Sequence, residues 1–399
     1  MDAKPERASH ESMKSKTLKK VLFFAESLAE ICARTRIAPG RPLRWMVIAN
    51  PTAGGFALRS RWEKHRNALA RCVSLAKAGP VHEDCGPADT ATGFGELPAL
   101  AKSGLVATER VGSGTEIAGA FVKEAVNAHG TGGQGSAPLP FYLVIVAGGD
   151  GTSLEVLSVL FHAPEAVRSN MAVLRLPMGT GNDGADSPEL AGALELLIKP
   201  SHIVFTPALR FLTAPSGGAA SQGPFIAFNV FSVGIDAFVT HMTNKMKKKS
   251  PGDFYKLWVN IAALLYDRLY TVGFLDVRAL DDQGREVMSL REKLLLIAVG
   301  VSGYRTYGSQ KKILPDERNV CAFKQMSLLR KLALKELLST GKHVGKPEAT
   351  LVNARWVEFS GDYPILAQMD GETVLLRKED FPAAIELTDP AIPVLRLDG

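Results

Sequence analysis

Apolar residues are distributed along this chain in two textures. Up to about residue 200, short uninterrupted apolar runs alternate with stretches whose apolar positions recur at three- and four-residue steps. Runs of the first kind suit strands buried on both faces of a parallel sheet, and stretches of the second suit helices laid over it. Phe141 to Ala147 is the clearest run, and Ser153 to Phe161 the helix that follows it; Trp45–Ala49, Leu105–Thr108 and Met171–Leu176 are further strands, with helices over Leu58–Leu75 and Glu116–Asn127. The alternation predicts an α/β domain with a doubly wound, mostly parallel sheet. Upstream, Leu18 to Ala38 reads as a helix with Val21, Phe24, Leu28 and Ile31 on one stripe, whose expected partner is the body of the protein itself. Pro39-Gly40-Arg41-Pro42 ends it, and the polar residues 1 to about 17 are expected to be disordered.

Beyond residue 200 the pattern turns strand-rich: Ile203–Leu212, Phe225–Val233, Val272–Leu280, Leu294–Val301, Leu351–Phe359 and Ile365–Met369, with few helices between. That texture predicts a β-rich, sandwich-like second domain of antiparallel strands. The expected divisions are a basic arm and helix over 1–43, an α/β domain over 44–200, the β-rich domain over 201–378, and a tail, 379–399, able to return to the first domain. His129 to Pro140, rich in Gly and Ser, reads as a flexible excursion.

The strand ends carry the candidate chemistry. Gly148-Gly149-Asp150-Gly151-Thr152 joins the run 141–147 to its helix. A turn of this kind aims backbone N–H groups and a helix N-terminus past the sheet edge, where phosphate binds. Asp150 among such amides repels a phosphate unless it holds a metal, a water or a ligand hydroxyl, so it argues for chemistry beyond cradling. Asn50-Pro51-Thr52-Ala53-Gly54-Gly55, Gly112-Ser113-Gly114-Thr115 and Gly179-Thr180-Gly181-Asn182-Asp183 follow the other strands on the same edge. Neither the lysine-bearing Walker loop nor the G-x-G-x-x-G dinucleotide spacing is present.

Composition narrows the class. With 399 residues, 46% hydrophobic and 22% charged, the chain is ordinary for a globular protein with two cores. The net charge is +6, but residues 1 to 44 hold ten Lys/Arg against five Asp/Glu, which leaves the remainder nearly neutral and gives no support to a nucleic-acid-binding face. The four cysteines form no C-x-x-C pair and the eight histidines no H-E-x-x-H, so a reducing cytoplasm without a zinc site is expected. No apolar stretch reaches the roughly 18 residues of a membrane span, and no secretory signal is expected at the N-terminus. Lys245, Lys247, Lys248 and Lys249 precede an apolar helix, Phe254–Tyr270; they read either as a solvated face or as the place where an anionic lipid surface or phosphate approaches.

Taken in order, Asn50–Gly55, Gly148–Thr152, Gly179–Asp183, Asn229-x-x-Ser232-x-Gly234-x-Asp236-Ala237, Lys312-Ile313-x-Pro315-Asp316 and Asp370-Gly371-Glu372 resemble the diacylglycerol kinase catalytic-domain family, which includes bacterial lipid kinases, sphingosine kinases and ceramide kinases. The resemblance spans about residues 44 to 378. It implies ATP and Mg²⁺ as cofactors, phosphorylation of a hydroxyl on diacylglycerol or a related lipid, and an active site in a cleft between an α/β domain and a β-sandwich. It further implies that Asn50, Pro51, Thr52, Ala53, Gly54, Thr108, Gly148, Gly149, Asp150, Gly151 and Thr152 contact the nucleotide, that Gly179, Thr180, Asn182 and Asp183 lie beside it, and that Asp150 organises the metal-bound phosphates. Asp370 and Glu372 are both candidates for the base that takes the lipid hydroxyl's proton. Taken by itself, Asp370-Gly371-Glu372 also fits a plain hairpin turn.

Many bacterial members follow their Pro-Asp-Ala element with an Asp-Gly pair whose Asp serves a structural magnesium. Here Cys321 stands where that Asp falls, and a thiol is a poor magnesium ligand, so that site is expected to be absent or rebuilt. The expected partners are a lipid substrate and, peripherally, a membrane surface, with a homo-oligomer open and nucleic acid excluded. An NAD kinase-like enzyme and a silent lipid- or nucleotide-binding regulator are the rival readings.

Overall fold

A computed structural model describes residues 4–78, 104–131, 139–179, 181–213, 225–247, 266, 272–307 and 311–398. The expected helix Phe254–Tyr270, apart from Tyr266, falls outside the described residues, as do Lys248, Lys249, Thr180 and residues 132–138 of the Gly/Ser-rich stretch. The chain forms two compact units, Met1–Thr206 with Ala391–Gly399, and Pro207–Pro390.

The first unit is built on β1 (Leu43–Ala49), β2 (Gly104–Ala107), β3 (Phe141–Ala147), β4 (Met171–Arg175) and β5 (Ser201–Thr206), joined by the C-terminal strand Ile392–Leu397. The sheet order is β2, β1, β3, β4, the C-terminal strand, β5. All neighbours pair in parallel except β5 against the C-terminal strand. Every residue of β3 is buried, as a run of seven apolar residues without alternation requires of a central strand. Trp45, Val47, Leu143 and Ile145 face a core shared with α1 (Lys4–Cys32), α3 (Arg59–Lys77) and α7 (Leu190–Ile198). The stripe Val21, Phe24, Leu28 and Ile31 of α1 is buried in that core, as the spacing predicts. On the other face Tyr142 meets Phe121 of α4 (Ser113–Thr131), ring edge to ring face at 5.4 Å.

Two expectations about α1 are corrected. Residues from Lys4 onward are helical, not disordered: the stretch contains no glycine, and its one proline, Pro5, sits in the first turn, where a missing N–H costs nothing. The helix stops at Cys32 and does not reach Ala38. Thr35 Oγ1 and the Arg36 N–H both donate to the Leu197 carbonyl, at 2.6 and 3.2 Å, which pulls the chain out of the helix onto α7.

The second unit holds β6 (Leu209–Thr213), β7 (Phe225–Ala227), β8 (Val230–Gly234), β9 (Phe274–Leu280), β10 (Glu286–Gly300), β11 (Arg305–Tyr307), β12 (Lys311–Leu314), β13 (Val320–Lys324), β14 (Ala349–Val352), β15 (Trp356–Ser360), β16 (Ile365–Met369), β17 (Glu372–Leu376) and β18 (Ala383–Leu387). Eleven of these strands make one antiparallel sheet whose main path runs β17, β16, β8, β10, β9, β15, β18, β6, β7. Phe211 on β6 stacks on Phe231 on β8 with ring centroids 4.7 Å apart, although four strands separate β6 from β8 in the sheet. In a flat sheet five strand spacings span about 24 Å, so the sheet curls over a shared aromatic core that also takes in Phe359. The expected strand Ile203–Leu212 is two strands in different sheets, β5 and β6, parted at Pro207, which has no N–H to give a ladder.

Candidate active site

In the first unit, the turns after β1, β3 and β4 are tied into one assembly. Asn50, Pro51, Thr52 and Ala53 lead from β1 to α2 (Gly54–Ala57). Asn50 Oδ1 accepts from the Thr52 N–H and hydroxyl at 3.0 and 2.8 Å, an Asx turn that fixes the loop, while Asn50 Nδ2 reaches Thr152 Oγ1 at 3.4 Å. The Gly55 N–H donates to the Met178 carbonyl at 2.8 Å, joining this loop to the one after β4. Gly149 and Gly179 meet backbone to backbone: a Cβ on Gly179 would lie 2.6 Å from the Gly149 Cα and 3.0 Å from Asn182 Oδ1. A Cβ on Gly148 would fall 2.6 Å from Thr152 Cβ. Gly179 is thus demanded by packing between loops, and Gly148 by packing within its own turn, as much as by any ligand. Asp150 opens α5 (Asp150–His162), whose first-turn amides have no carbonyl within the helix to bond.

Two carboxylates converge here. A Cβ on Gly181 would meet Asp150 Oδ2 at 2.9 Å and Asp183 Oδ2 at 3.4 Å, so both acids crowd one small space left by a glycine. Asn182, in the left-handed region at φ 62°, carries the chain between them and donates from Nδ2 to the Pro177 carbonyl at 3.2 Å. Among the described residues no group of three or more His, Cys, Asp or Glu forms a metal cage. Two hard oxygen donors fit magnesium held chiefly by phosphate and water, the usual way that ion is bound.

Three supports for this assembly were invisible in the motifs. Glu155 of α5 accepts the Gly112 and Gly114 N–H groups at 2.8 Å each, so its carboxylate occupies the N-terminus of α4 and pins the loop that begins at Thr108. Thr108 is itself held to β1 by its N–H on the Ala49 carbonyl at 2.7 Å. The buried pair Arg175–Asp186, 2.8 Å apart, closes the loop 176–185 back onto β4, and Asp186 accepts the Arg175 N–H at 2.7 Å as well. Arg61 of α3 donates to the Gly179 carbonyl at 2.8 Å.

In the second unit, Asp370 and Gly371 are the two-residue turn of the β16–β17 hairpin, with φ of 47° and 93°. Asp-Gly suits a turn that needs φ > 0 at both central positions. The hairpin reading is therefore right as far as it goes, but the turn carries further interactions. The Asp370 carboxylate accepts the N–H groups of Phe228, Asn229 and Val230, the last two at 3.1 and 2.9 Å. Its oxygens are engaged in fixing the turn, whereas Glu372, next after Gly371, is exposed. The buried Gln368 supports the same turn: its Oε1 accepts the Gly371 N–H at 3.0 Å, and its Nε2 donates to Ser232 Oγ at 3.0 Å and Asp236 Oδ2 at 3.2 Å.

Around Cys321 the residues do not fit a magnesium ion. Cys321 is fully buried on β13 between β10 and β14, and burial pushes its thiol pKa up, so it stays neutral. Asp316 is gripped by the Arg318 guanidinium through both carboxylate oxygens, which holds its pKa below the usual carboxylate range. A cation thus lies against Asp316, and it belongs to the protein.

Residues 44–201 match the model of the diacylglycerol kinase catalytic domain. That part of the chain is similar to the family, and proteins named as lipid kinases are similar to the chain beyond it. A protein named probable lipid kinase YegS-like, from Pectobacterium atrosepticum, is 26% identical over 256 residues, 62% of this chain and 78% of that one. Diacylglycerol kinase 1 of Arabidopsis thaliana is 26% identical over 59% of this chain and 35% of its own. A solved structure titled as that of a "putative diacylglycerol kinase" from Bacillus anthracis superposes with a TM-score of 0.52 at 17% identity, covering 88% of this chain and 96% of that one, and bears on the fold alone. Among the described residues no helix is long and apolar enough to cross a membrane.

Proposed function

We propose that this protein transfers the γ-phosphate of ATP to a hydroxyl of diacylglycerol or a related lipid. The observation that carries the reading is the meeting of Asp150 and Asp183 at Gly181, within a loop assembly that includes the N-terminus of α5. Neutralising a triphosphate takes both parts: amides for the non-bridging oxygens, and hard anionic oxygens for the magnesium that accompanies them. Bound there, magnesium would supply charge neutralisation at the transferring phosphate. Asp150 and Asp183 would hold it, and the backbone at the start of α5 and the Asn50 loop would contact the nucleotide.

Glu372 is the base. Its carboxylate is exposed, whereas Asp370 spends its lone pairs on three backbone amides and serves to position the turn. Glu372 takes the lipid hydroxyl's proton as the oxygen attacks phosphorus, the bond to the leaving ADP oxygen breaks, and the proton leaves with the carboxyl group until solvent removes it. Lys245 at the end of α8 (Ile235–Lys247), with the lysines that follow it in sequence, would attract an anionic lipid surface.

The test is ATP consumption measured against a panel of diacylglycerols, sphingoid bases, ceramides and NAD. Lipid-dependent ADP release with phosphorylated lipid as the product supports the reading. Turnover with NAD alone, or no turnover with any acceptor, overturns it.

A further inference from the structure

The segment Asn229 to Ala237 and α8, which begins within it, take no proton and hold no phosphate in the chemistry so far described, yet their polar groups converge on the turn that carries Glu372. From the geometry we infer that Asn244 and Gln368 are positioning residues that clamp Gly371 from its two sides and so set the direction of the Glu372 carboxylate. This rests on Glu372 being the base.

The clamp can be followed atom by atom. Gln368 is 4% exposed and Ser232 fully buried. Asp236 accepts from both Ser232 Oγ and Gln368 Nε2, which fixes the orientation of the Gln368 amide. Turned over, that amide would set its oxygen against the carboxylate and its NH₂ against the Gly371 N–H, losing both bonds. Gln368 Oε1 is therefore committed to the Gly371 N–H, 3.0 Å away. From the other side, Asn244 of α8 donates from Nδ2 to the Gly371 carbonyl at 2.9 Å. One turn earlier on α8, His241 Nδ1 lies 3.3 Å from Thr373 Oγ1, on the residue after Glu372.

The consequence follows from peptide geometry. The Gly371 N–H belongs to the peptide plane entering the glycine and its carbonyl to the plane leaving it, which ends at the Glu372 Cα. Glycine at φ 93° has no side chain to resist rotation, so beyond the pairing of Met369 with Glu372 in the hairpin it is the clamp that restrains the plane before Glu372. Asp236, Ser232 and Gln368 fix the entering plane, and Asn244 fixes the leaving one. Asn244 stands one residue before Lys245, which is exposed, so the same helix end faces solvent and holds the turn.

The experiment uses full-length protein with ATP, Mg²⁺ and dioleoylglycerol in mixed micelles, and compares the parent with Asn244→Ala, Thr243→Ala and Glu372→Gln. A misplacement near 1 Å at a reacting group lowers turnover by up to about 100-fold. Asn244→Ala is therefore expected to lose roughly 10- to 100-fold in kcat while KM for ATP, KM for the lipid and the unfolding temperature stay at parental values. Thr243→Ala, a change on the same helix at a side chain with no hydrogen bond to the turn, should match the parent. If Glu372→Gln loses turnover but Asn244→Ala stays within about twofold of the parent, the clamp is wrong and the base assignment stands. Loss of kcat in Asn244→Ala together with weaker ATP binding or a lower unfolding temperature also overturns the positioning role. Parental turnover in Glu372→Gln removes the base assignment and the clamp with it.

Discussion

Gly179→Ala isolates the contact on which the nucleotide assembly depends. Gly179 lies outside the left-handed region, so the substitution meets no backbone strain and its cost is steric. The new Cβ would stand 2.6 Å from the Gly149 Cα, where carbon atoms pack comfortably at about 3.5–4.0 Å, so the two loops must part by about 1 Å. Overpacking of that kind costs about 1–3 kcal/mol of stability. The larger effect falls on ATP, because Gly149 leads directly into the amides of Asp150 and Gly151. Losing one amide bond to a charged phosphate costs about 1.5–3 kcal/mol, which raises Kd by roughly 10- to 100-fold. Calorimetric titration with ATP and Mg²⁺, alongside thermal unfolding, measures both consequences. Gly119→Ala is the control: it lies in the middle of α4 with nothing within 4 Å of the new methyl group, and should gain about 0.5–1 kcal/mol from helix propensity. Parental ATP affinity in Gly179→Ala would refute the claim that the loops after β3 and β4 hold the phosphates through their mutual contact.

Further outcomes follow from charge. Burial first, then Arg61 and Lys64, lowers the pKa of His65 from 6.5 to about 4. The folded state keeps this imidazole neutral while the unfolded chain protonates it, so its contribution to stability is complete above pH 6.5 and lost as pH falls toward 4. Thermal unfolding from pH 8 to 4 should show that decline and His65→Asn should flatten it; equal slopes would reject the assignment. With Arg318 against Asp316, the unfolding temperature of the nucleotide-free protein should not depend on Mg²⁺ through that site; a magnesium-induced rise that vanishes in Asp316→Asn would show an ion there. Neutralising Lys245, Lys247, Lys248 and Lys249 should weaken sedimentation with anionic liposomes by about 1 kcal/mol per lysine near the surface, and unchanged sedimentation would exclude the cluster.

What the sequence reveals and what it hides have physical causes. β3 and β16 are legible because both are buried throughout, β3 being apolar along its whole length and β16 at every position but Gln368. β10 is legible only in part. Its second half, Leu294 to Gly300, is the apolar run, whereas its first half has mixed burial along β9 and shows no run to detect. Tertiary bonds from Thr35 and Arg36 decide where α1 ends, and local pattern does not record them. The site divides in the same way. Glycine-rich turns at strand ends announce Asn50–Gly54, Gly148–Thr152 and Gly179–Asp183, because tight turns and close loop packing need glycine wherever they occur. Glu155, Asp186, Gln368 and Asn244 are single polar residues whose meaning comes from partners brought in by folding. Gln368 lies 136 positions from Ser232, and Gly371 lies 127 from Asn244. The sequence leaves Asp370 and Glu372 equal as candidate bases, and the three amides on Asp370 are the observation from which the proposal prefers Glu372.

The central claim is that Asp150 serves the nucleotide and Glu372 the acceptor's proton within one reaction. Its most direct measurement is ATP affinity and single-turnover lipid phosphorylation in Asp150→Asn and Glu372→Gln, side by side with the parent. Glu372→Gln should bind ATP as the parent does and lose roughly 10²–10⁴-fold in the rate of phosphoryl transfer, while Asp150→Asn should lose magnesium-dependent ATP handling. A Glu372→Gln enzyme that phosphorylates lipid at the parental rate, or an Asp150→Asn enzyme with parental magnesium-dependent ATP binding and turnover, contradicts the account.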